Sequence, residues 1–209
     1  MVLPLRIFEP RYRVLMQRLL DLPDGSPREF GVIAIRQGWE VGVAGVSALY
    51  PVGCTAQLRQ IAELDDGTYD VLTVGSERFR LDGVATEGAP YLQASVRRLP
   101  ENPGPAAEAR VLADGVRAVY GSYLAALVGT DQAAALLAEL PDDPLRLASS
   151  VAASAPLELG DRQALLAADD GVARLRLELR MLKREATMLR RLRAVPIPLA
   201  ELRVPLGLN

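Results

Sequence analysis

At Glu101-Asn102-Pro103-Gly104-Pro105 the chain passes from mostly alternating to wholly helical hydrophobic patterning, and that change constrains the fold more than any other feature. Two prolines and a glycine within five residues continue neither a strand ladder nor a helix. Before the break, short runs alternate apolar and polar residues. Val2 to Ile7 is extended and limited by Pro4, and Phe30 to Ile35 is apolar and β-branched. Cys54 to Ala62 sets Cys54, Ala56 and Leu58 against Thr55, Gln57 and Arg59; Tyr69 to Val74, Arg78 to Val84 and Tyr91 to Leu99 follow. Asp66-Gly67 between two such runs predicts a hairpin, because glycine accepts the positive φ of a tight turn. Short strands punctuated this often predict a barrel or sandwich. One helix interrupts them: Pro10 suits a first helical turn, and Tyr12, Leu15, Met16, Leu19 and Leu20 keep helical spacing up to Pro23. Ser26-Pro27-Arg28-Glu29 has the form of a capping box, but the β-branched residues after it predict a strand there.

Beyond the break the chain turns Ala- and Leu-rich. Helices are predicted at about 106–128, 131–140, 144–154, 161–168 and 171–193, separated by Pro141, Pro144 and Pro156. The expected organisation is a β part with one helix over residues 1–100, a helical bundle over 106–193, and a Pro-containing tail over 194–209. The last long helix carries Arg174, Arg176, Arg180, Lys183, Arg184, Arg190, Arg191 and Arg193 against Glu178 and Glu185, so eight positive charges minus two negative give +6. Val172, Leu175, Leu179, Leu182, Ala186 and Leu189 make one apolar stripe along it, expected to pack on the bundle. Leu177, Met181, Met188 and Leu192 make a second stripe, predicted to meet the chain's own bundle or an acidic partner rather than its own copy.

The residue inventory excludes much chemistry. The chain has no histidine, which removes His-based triads and His metal sites, and its one cysteine, Cys54, allows neither an intrachain disulfide nor a Cys cluster for zinc. Lys183 is the single lysine and lies in Met-Leu-Lys-Arg, so there is no phosphate-cradling Gly-Lys-Ser/Thr loop. The net charge is −2, so nucleic acid would need a local basic patch. No apolar run is expected to span a membrane, and the N-terminus lacks the order of a signal peptide. A cytoplasmic protein is expected, with Cys54 reduced and inert in a strand, with no cofactor and no metal site, and monomeric.

The tempting charged residues have structural readings. Glu9 is expected to pair with an arginine and brace the strand-to-helix turn; Asp65-Asp66 and Asp142-Asp143 are expected in turns or caps. Gly42-Val43-Ala44-Gly45 has the form of a nucleic-acid-clamping loop but lacks the strands of that fold. Trp39, in the polar stretch Gln-Gly-Trp-Glu, is a candidate protein contact at a loop tip, as are Leu177, Met181, Met188 and Leu192 on the long helix.

A resemblance sharpens this. Leu3-Pro4-Leu5-Arg6-Ile7-Phe8-Glu9-Pro10-Arg11-Tyr12-Arg13 resembles the opening signature of the substrate-binding N-terminal domain of Lon proteases. In the same order, Phe30-Gly31-Val32-Ile33, Glu40-Val41-Gly42, Val52-Gly53-Cys54-Thr55-Ala56, Asp66-Gly67-Thr68-Tyr69, Val74-Gly75-Ser76-Glu77-Arg78-Phe79-Arg80 and Pro90-Tyr91-Leu92-Gln93-Ala94 are similar to its later elements. Gln163-Ala164-Leu165-Leu166 and the helix through Arg184-Glu185 are similar to its helical segment. The resemblance implies an α+β fold: a PUA-like β pseudo-barrel over residues 1–100, then an α-helical bundle ending in a long helix. It implies a stand-alone, non-catalytic module without the ATPase and protease domains, binding protein or peptide clients with exposed apolar segments. Members of that family usually carry a further apolar strand before the opening signature, and this sequence begins almost at the signature: either the start is truncated or the strand is absent, and without it a sheet edge would stay open to pairing. The alternative reading is an RNA-binding protein that uses the PUA-like barrel and the basic C-terminal helix. Acidity overall and few aromatics oppose it, so nucleic acid and membrane are not the expected partners.

Overall fold

The computed structural model describes residues 2–36, 49–85 and 87–192, with the side chains of Arg190 and Leu192 outside the description. These residues form two compact units. Residues up to Asn102, with Arg162–Ala167, make the first; Pro103–Asp161 and the chain from Ala168 make the second.

The first unit is one antiparallel sheet around a helix. Its elements are β1 (Val2–Ile7), α1 (Pro10–Leu20), β2 (Glu29–Val32), β3 (Val52–Glu63), β4 (Tyr69–Ala85) and β5 (Gln93–Leu99). The strand order is β1-β4-β3-β2, with β5 also on β4. β1 pairs with the first half of β4, from Ile7 opposite Tyr69 to Val2 opposite Val74. β5 pairs with the second half, from Leu99 opposite Arg78 to Gln93 opposite Ala85. β1 and β5 therefore lie end to end along one side of β4. The core explains the curl of the sheet. Met16 and Leu19 of α1 are buried with Tyr69 and Val71 of β4, and Leu5 and Ile7 (β1), Phe30 (β2), and Leu58 and Ile61 (β3) all pack on that one cluster. Four adjacent strands reach one helix face only if the sheet wraps it. Each large aliphatic side chain so covered contributes about 1.5–3 kcal/mol.

Local chemistry sets the ends of α1. Pro10 occupies its first turn. At its end Arg28 Nη2 donates to the last carbonyl, Leu20 O, at 3.3 Å and to Leu22 O just beyond the helix at 3.4 Å. At the β3–β4 hairpin, Gly67 has φ +71°, and Asp66 Oδ1 accepts from Thr68 N at 3.0 Å and from Thr68 Oγ1 at 2.6 Å. That is the Asp-Gly turn the sequence predicts.

The second unit comprises α2 (Ala106–Val128), α3 (Thr130–Ala138), α4 (Pro144–Ser154) and α6 (Gly171–Leu192); α5 (Leu159–Leu166) begins in it and gives its last residues to the first unit. α6 packs on α2 and α4, and α3 and α4 pack on α2. Asp143 caps α4 by accepting from Arg146 N at 2.9 Å, and Asp170 accepts from Ala173 N at 2.7 Å at the start of α6. The expected α+β fold, a β pseudo-barrel followed by helices, is thus observed, the β part being a curled antiparallel sheet that makes half a barrel.

Several expectations need correction. The two runs Tyr69–Val74 and Arg78–Val84 are one 17-residue strand, not two. β2 stops at Val32, and Ile35 adds only an isolated bridge to Leu49. α3 runs from Thr130 to Ala138 and α5 from Leu159 to Leu166, each displaced from its expected bounds. α2 is long and apolar enough, by length and composition, to cross a membrane, which no run was expected to be. One face of it, with Ala109, Ala113, Val116, Tyr120, Tyr123 and Leu124, is buried in its unit.

Candidate functional site

Among the described residues β1 lies at the edge of its sheet and pairs only with β4. Its burial alternates: Leu3, Leu5 and Ile7 are partly covered while Val2, Pro4 and Arg6 are exposed, and Phe8 continues the outer row. Val2 is 58% and Phe8 56% exposed, both high for large apolar side chains. Pro4 can sit here because an edge strand needs no donor at every position. Arg6 anchors the row: its guanidinium lies 3.2 Å from Asp70 Oδ1 and 3.4 Å from Asp66 Oδ2. The result, among the described residues, is an extended strand unpaired on one side whose outer row is apolar except for Arg6, the arrangement that adds a strand from another chain.

The edge is interrupted once. Gly75, Ser76 and Glu77 lie between the β4 residues paired with Val2 and with Leu99. On the other side the β3–β4 register shifts between Cys54 and Ala56. Thr55 Oγ1 fills this bulge, accepting from Glu77 N at 2.9 Å and donating to Glu77 O at 3.3 Å. The slip changes the phase of the strand, so the consecutive residues Arg78 and Phe79 are both buried. A break in alternation reads in sequence as a turn, which is why one strand looks like two.

Arg78 carries the notable electrostatics of this unit. Its Nε donates to Glu101 Oε1 at 2.6 Å and its Nη1 to the Leu166 carbonyl, at the end of α5, at 2.8 Å. A cation satisfies a helix C-terminus and a carboxylate at once. Arg98 on β5 approaches Glu77 at 3.0 Å and Glu29 at 3.6 Å, and Arg97 grips Asp82 at 2.8 Å. That exposed contact holds the Asp82 carboxyl below its usual range, the hydrogen bond from Arg97 being the main cause.

The sequence-predicted residues are scattered. Glu9 and Arg11 form the expected pair at the strand-to-helix turn, 2.8 Å apart. Asp66 and Asp143 hold turn and cap roles. Cys54 is half-buried; burial pushes its thiol up despite a backbone hydrogen bond from Ser76, so it stays protonated at neutral pH. Trp39 and the Gly42–Gly45 stretch lie outside the described residues. The second stripe of α6 is not one surface. Met181 is 9% exposed and Met188 48%, Leu177 is half-buried, and the side chain of Leu192 lies outside the description. After Leu182 no described α6 residue is buried, so the helix extends past the packing that covers Met181. Glu178, which the sequence only counts among the charges of the long helix, is fully buried; desolvation pushes its carboxyl up to about 9 against the opposing effect of Arg174. Arg174 is buried beside it and donates to Ser149 Oγ on α4 at 3.3 Å. Sequence reading missed this because a glutamate inside a cationic run looks like a compensating surface charge. Among the described residues no group of three His, Cys, Asp or Glu could hold a metal ion.

Comparison with known proteins agrees with this architecture. The N-terminal domain of a Mycobacterium avium complex Lon protease superposes with a TM-score of 0.61 at 17% identity, covering 88% of this chain and 90% of that one. A Lon N-terminal domain protein from Xanthomonas campestris gives 0.56 at 22% identity, covering 86% and 89%. In sequence, Lon protease 2 of Sorangium cellulosum is 29% identical over 192 residues, 90% of this chain and 23% of that protein. Lon protease of Escherichia coli K12 is 30% identical over 145 residues, 69% of this chain and 18% of that protein. The chain thus spans less than a quarter of the length of these curated relatives. Residues 1–184 match the family described as the ATP-dependent protease La (LON) substrate-binding domain, and the chain belongs to that family.

Proposed function

We propose that this chain is a non-catalytic module that binds extended, apolar segments of other proteins along β1. The observation that carries the reading is the edge that β1 leaves unpaired among the described residues, with Val2, Pro4 and Phe8 exposed in one row. The substrate-binding family to which the chain belongs supports it. Chemistry supports the non-catalytic part: the sequence has no histidine, and its single cysteine is held protonated. Affinity in such a mode comes from backbone pairing and apolar area, and is modest per segment because the incoming chain must be ordered. In this reading the module acts as a monomer in the cytoplasm, on clients whose strands have become exposed.

The test is binding of reduced, carboxymethylated lactalbumin, a permanently unfolded probe, followed by fluorescence anisotropy. Wild-type chain binds it and the native, disulfide-bonded form does not compete. Phe8→Glu places a charge in the outer row at a site 56% exposed, so the fold survives and binding drops at least tenfold. Equal binding of unfolded and native forms, or unchanged binding by Phe8→Glu with an unchanged melting temperature, contradicts the reading.

A further inference from the structure

The second unit contains a surface that the β1 reading does not use. Along the C-terminal halves of α2 and α6 runs an open groove of about 510 Å³. Its α2 wall is built on Ala118, Val119, Ser122 and Ala126, which recur at helical spacing, with the Tyr123 ring beneath. Its α6 wall is built on Lys183, Ala186, Thr187 and Leu189. The groove exists because small residues face each other where the packing that buries Met181 and Leu182 has ended. The hydroxyls of Ser122 and Thr187 are already engaged: Ser122 Oγ donates to Ala118 O at 3.0 Å and Thr187 Oγ1 to Lys183 O at 2.7 Å. The third hydroxyl belongs to Tyr123, which is 7% exposed, so the trough offers mainly apolar contact.

The lip is one-signed. Arg180, Lys183 and Arg191 share the α6 face with Thr187 by their spacing, all three are exposed, and none has an ion-pair partner among the described residues. Two other α6 cations differ: Arg176 pairs with Glu108, and Arg184 with Asp161 and Glu185. The facing stretch of α2, residues 118–128, contains no charged residue to neutralise the lip. We propose that this groove docks an acidic amphipathic segment of a partner protein, whose apolar residues at helical spacing fill the trough while its Asp and Glu residues face Arg180, Lys183 and Arg191.

Charge selects this occupant over the others. A second copy would bring the same cations. The segment after α6, residues 193–209, carries Arg193 and Arg203 against one Glu201, so it offers no acidic complement. Single-stranded nucleic acid would want exposed rings to stack on, and Tyr123, the one ring in the groove, is 7% exposed. The site is independent of the β1 reading, so the two fail separately.

The experiment uses the full chain and three fluorescent 18-residue helical peptides with the same leucine stripe. One is flanked by Glu and one by Lys, and the third is a scramble of the Glu peptide. The Glu peptide binds at least tenfold tighter than either control, and loses about tenfold between 50 and 500 mM salt. Lys183→Glu with Arg180→Glu, two exposed changes, removes its advantage over the Lys peptide without moving the melting temperature, while Phe8→Glu leaves it intact. Equal binding of the Glu and Lys peptides overturns the proposal. So does displacement of the Glu peptide by a 12-nucleotide single-stranded RNA, or by a synthetic peptide of residues 193–209 at lower concentration. A dimer in sedimentation that Lys183→Glu dissociates would assign the groove to a second copy and also overturn it.

Discussion

The ring of Phe79 occupies the space that a side chain on Gly53 would need. The two residues are cross-strand partners on β4 and β3, and a Cβ on Gly53 would stand 2.7 Å from Phe79 Cε2 and 2.7 Å from the Val32 carbonyl oxygen. The same ring lies 3.3 Å from where a Cβ on Gly31 of β2 would be. One aromatic side chain thus covers two bare backbone positions: the glycine of Val-Gly-Cys is required by packing rather than by chain flexibility, while at Gly31 a methyl group would only be tight. Gly53→Ala is expected to destabilise the first unit by about 1–3 kcal/mol in urea unfolding. Phe79→Leu in that background should cost less than it does alone, because the smaller side chain makes room for the new methyl group; strictly additive losses would show that the two residues are not coupled.

Glu178 gives a pH dependence with a definite sign. Its folded pKa of about 9 lies above the usual 4.5, so the fold keeps a proton that the unfolded chain has released. Its effect on stability is absent below about pH 4.5, grows more unfavourable as pH rises towards 9, and then levels off. Glu178→Gln mimics the protonated acid and removes this slope. Denaturant titrations should find the variant about 2–3 kcal/mol more stable than wild type at pH 7 and little different at pH 4.5. A wild type whose stability rises between pH 6 and 9 relative to the variant would contradict the burial of this carboxyl.

The two methionines of α6 should behave differently although they share a stripe. Met181→Glu places a charge at a position 9% exposed and is expected to cost about 3 kcal/mol or more. Met188→Glu, at a position 48% exposed, should change stability by about 0.5 kcal/mol or less. Thermal melts of the two single variants separate them directly.

Arg78 is expected to be worth more than a surface cation. Its side chain is 6% exposed and satisfies both Glu101 and the last carbonyl of α5. Arg78→Ala leaves that carbonyl without its charged donor and is expected to cost about 2–3 kcal/mol. Arg78→Lys should recover only part, since a single ammonium lacks the guanidinium fork. Glu101 is 43% exposed, so Glu101→Gln should cost far less than Arg78→Ala.

Legibility in the sequence followed periodicity. β1, α2 and α4 begin and end where proline, alternation and helical spacing place them, because each of those signals is local. The continuity of β4 was not legible: Gly75-Ser76-Glu77 looks like a turn, and only the Thr55 hydroxyl from another strand shows it to be a bulge. The burial of Glu178 was hidden for the same reason, since its environment is built by α2 and α4 packing on α6. Among the candidate contacts, spacing put Met181 and Met188 on one face, but it says nothing about where along α6 the covering helices end. The outer row of β1 was present in the alternation of Val2, Pro4, Arg6 and Phe8, yet its importance depends on the strand being an edge, which is a property of the sheet.

The central claim is that β1 receives an incoming strand, and amide hydrogen exchange on the full chain tests it most directly. Exchange would be followed with and without saturating reduced, carboxymethylated lactalbumin. Backbone pairing on the open edge predicts that the amides of Leu3, Leu5, Arg6 and Ile7 include those that gain the most protection, at least fivefold, and that Phe8→Glu abolishes the gain. Protection that appears elsewhere in the chain and leaves β1 unchanged would contradict the account.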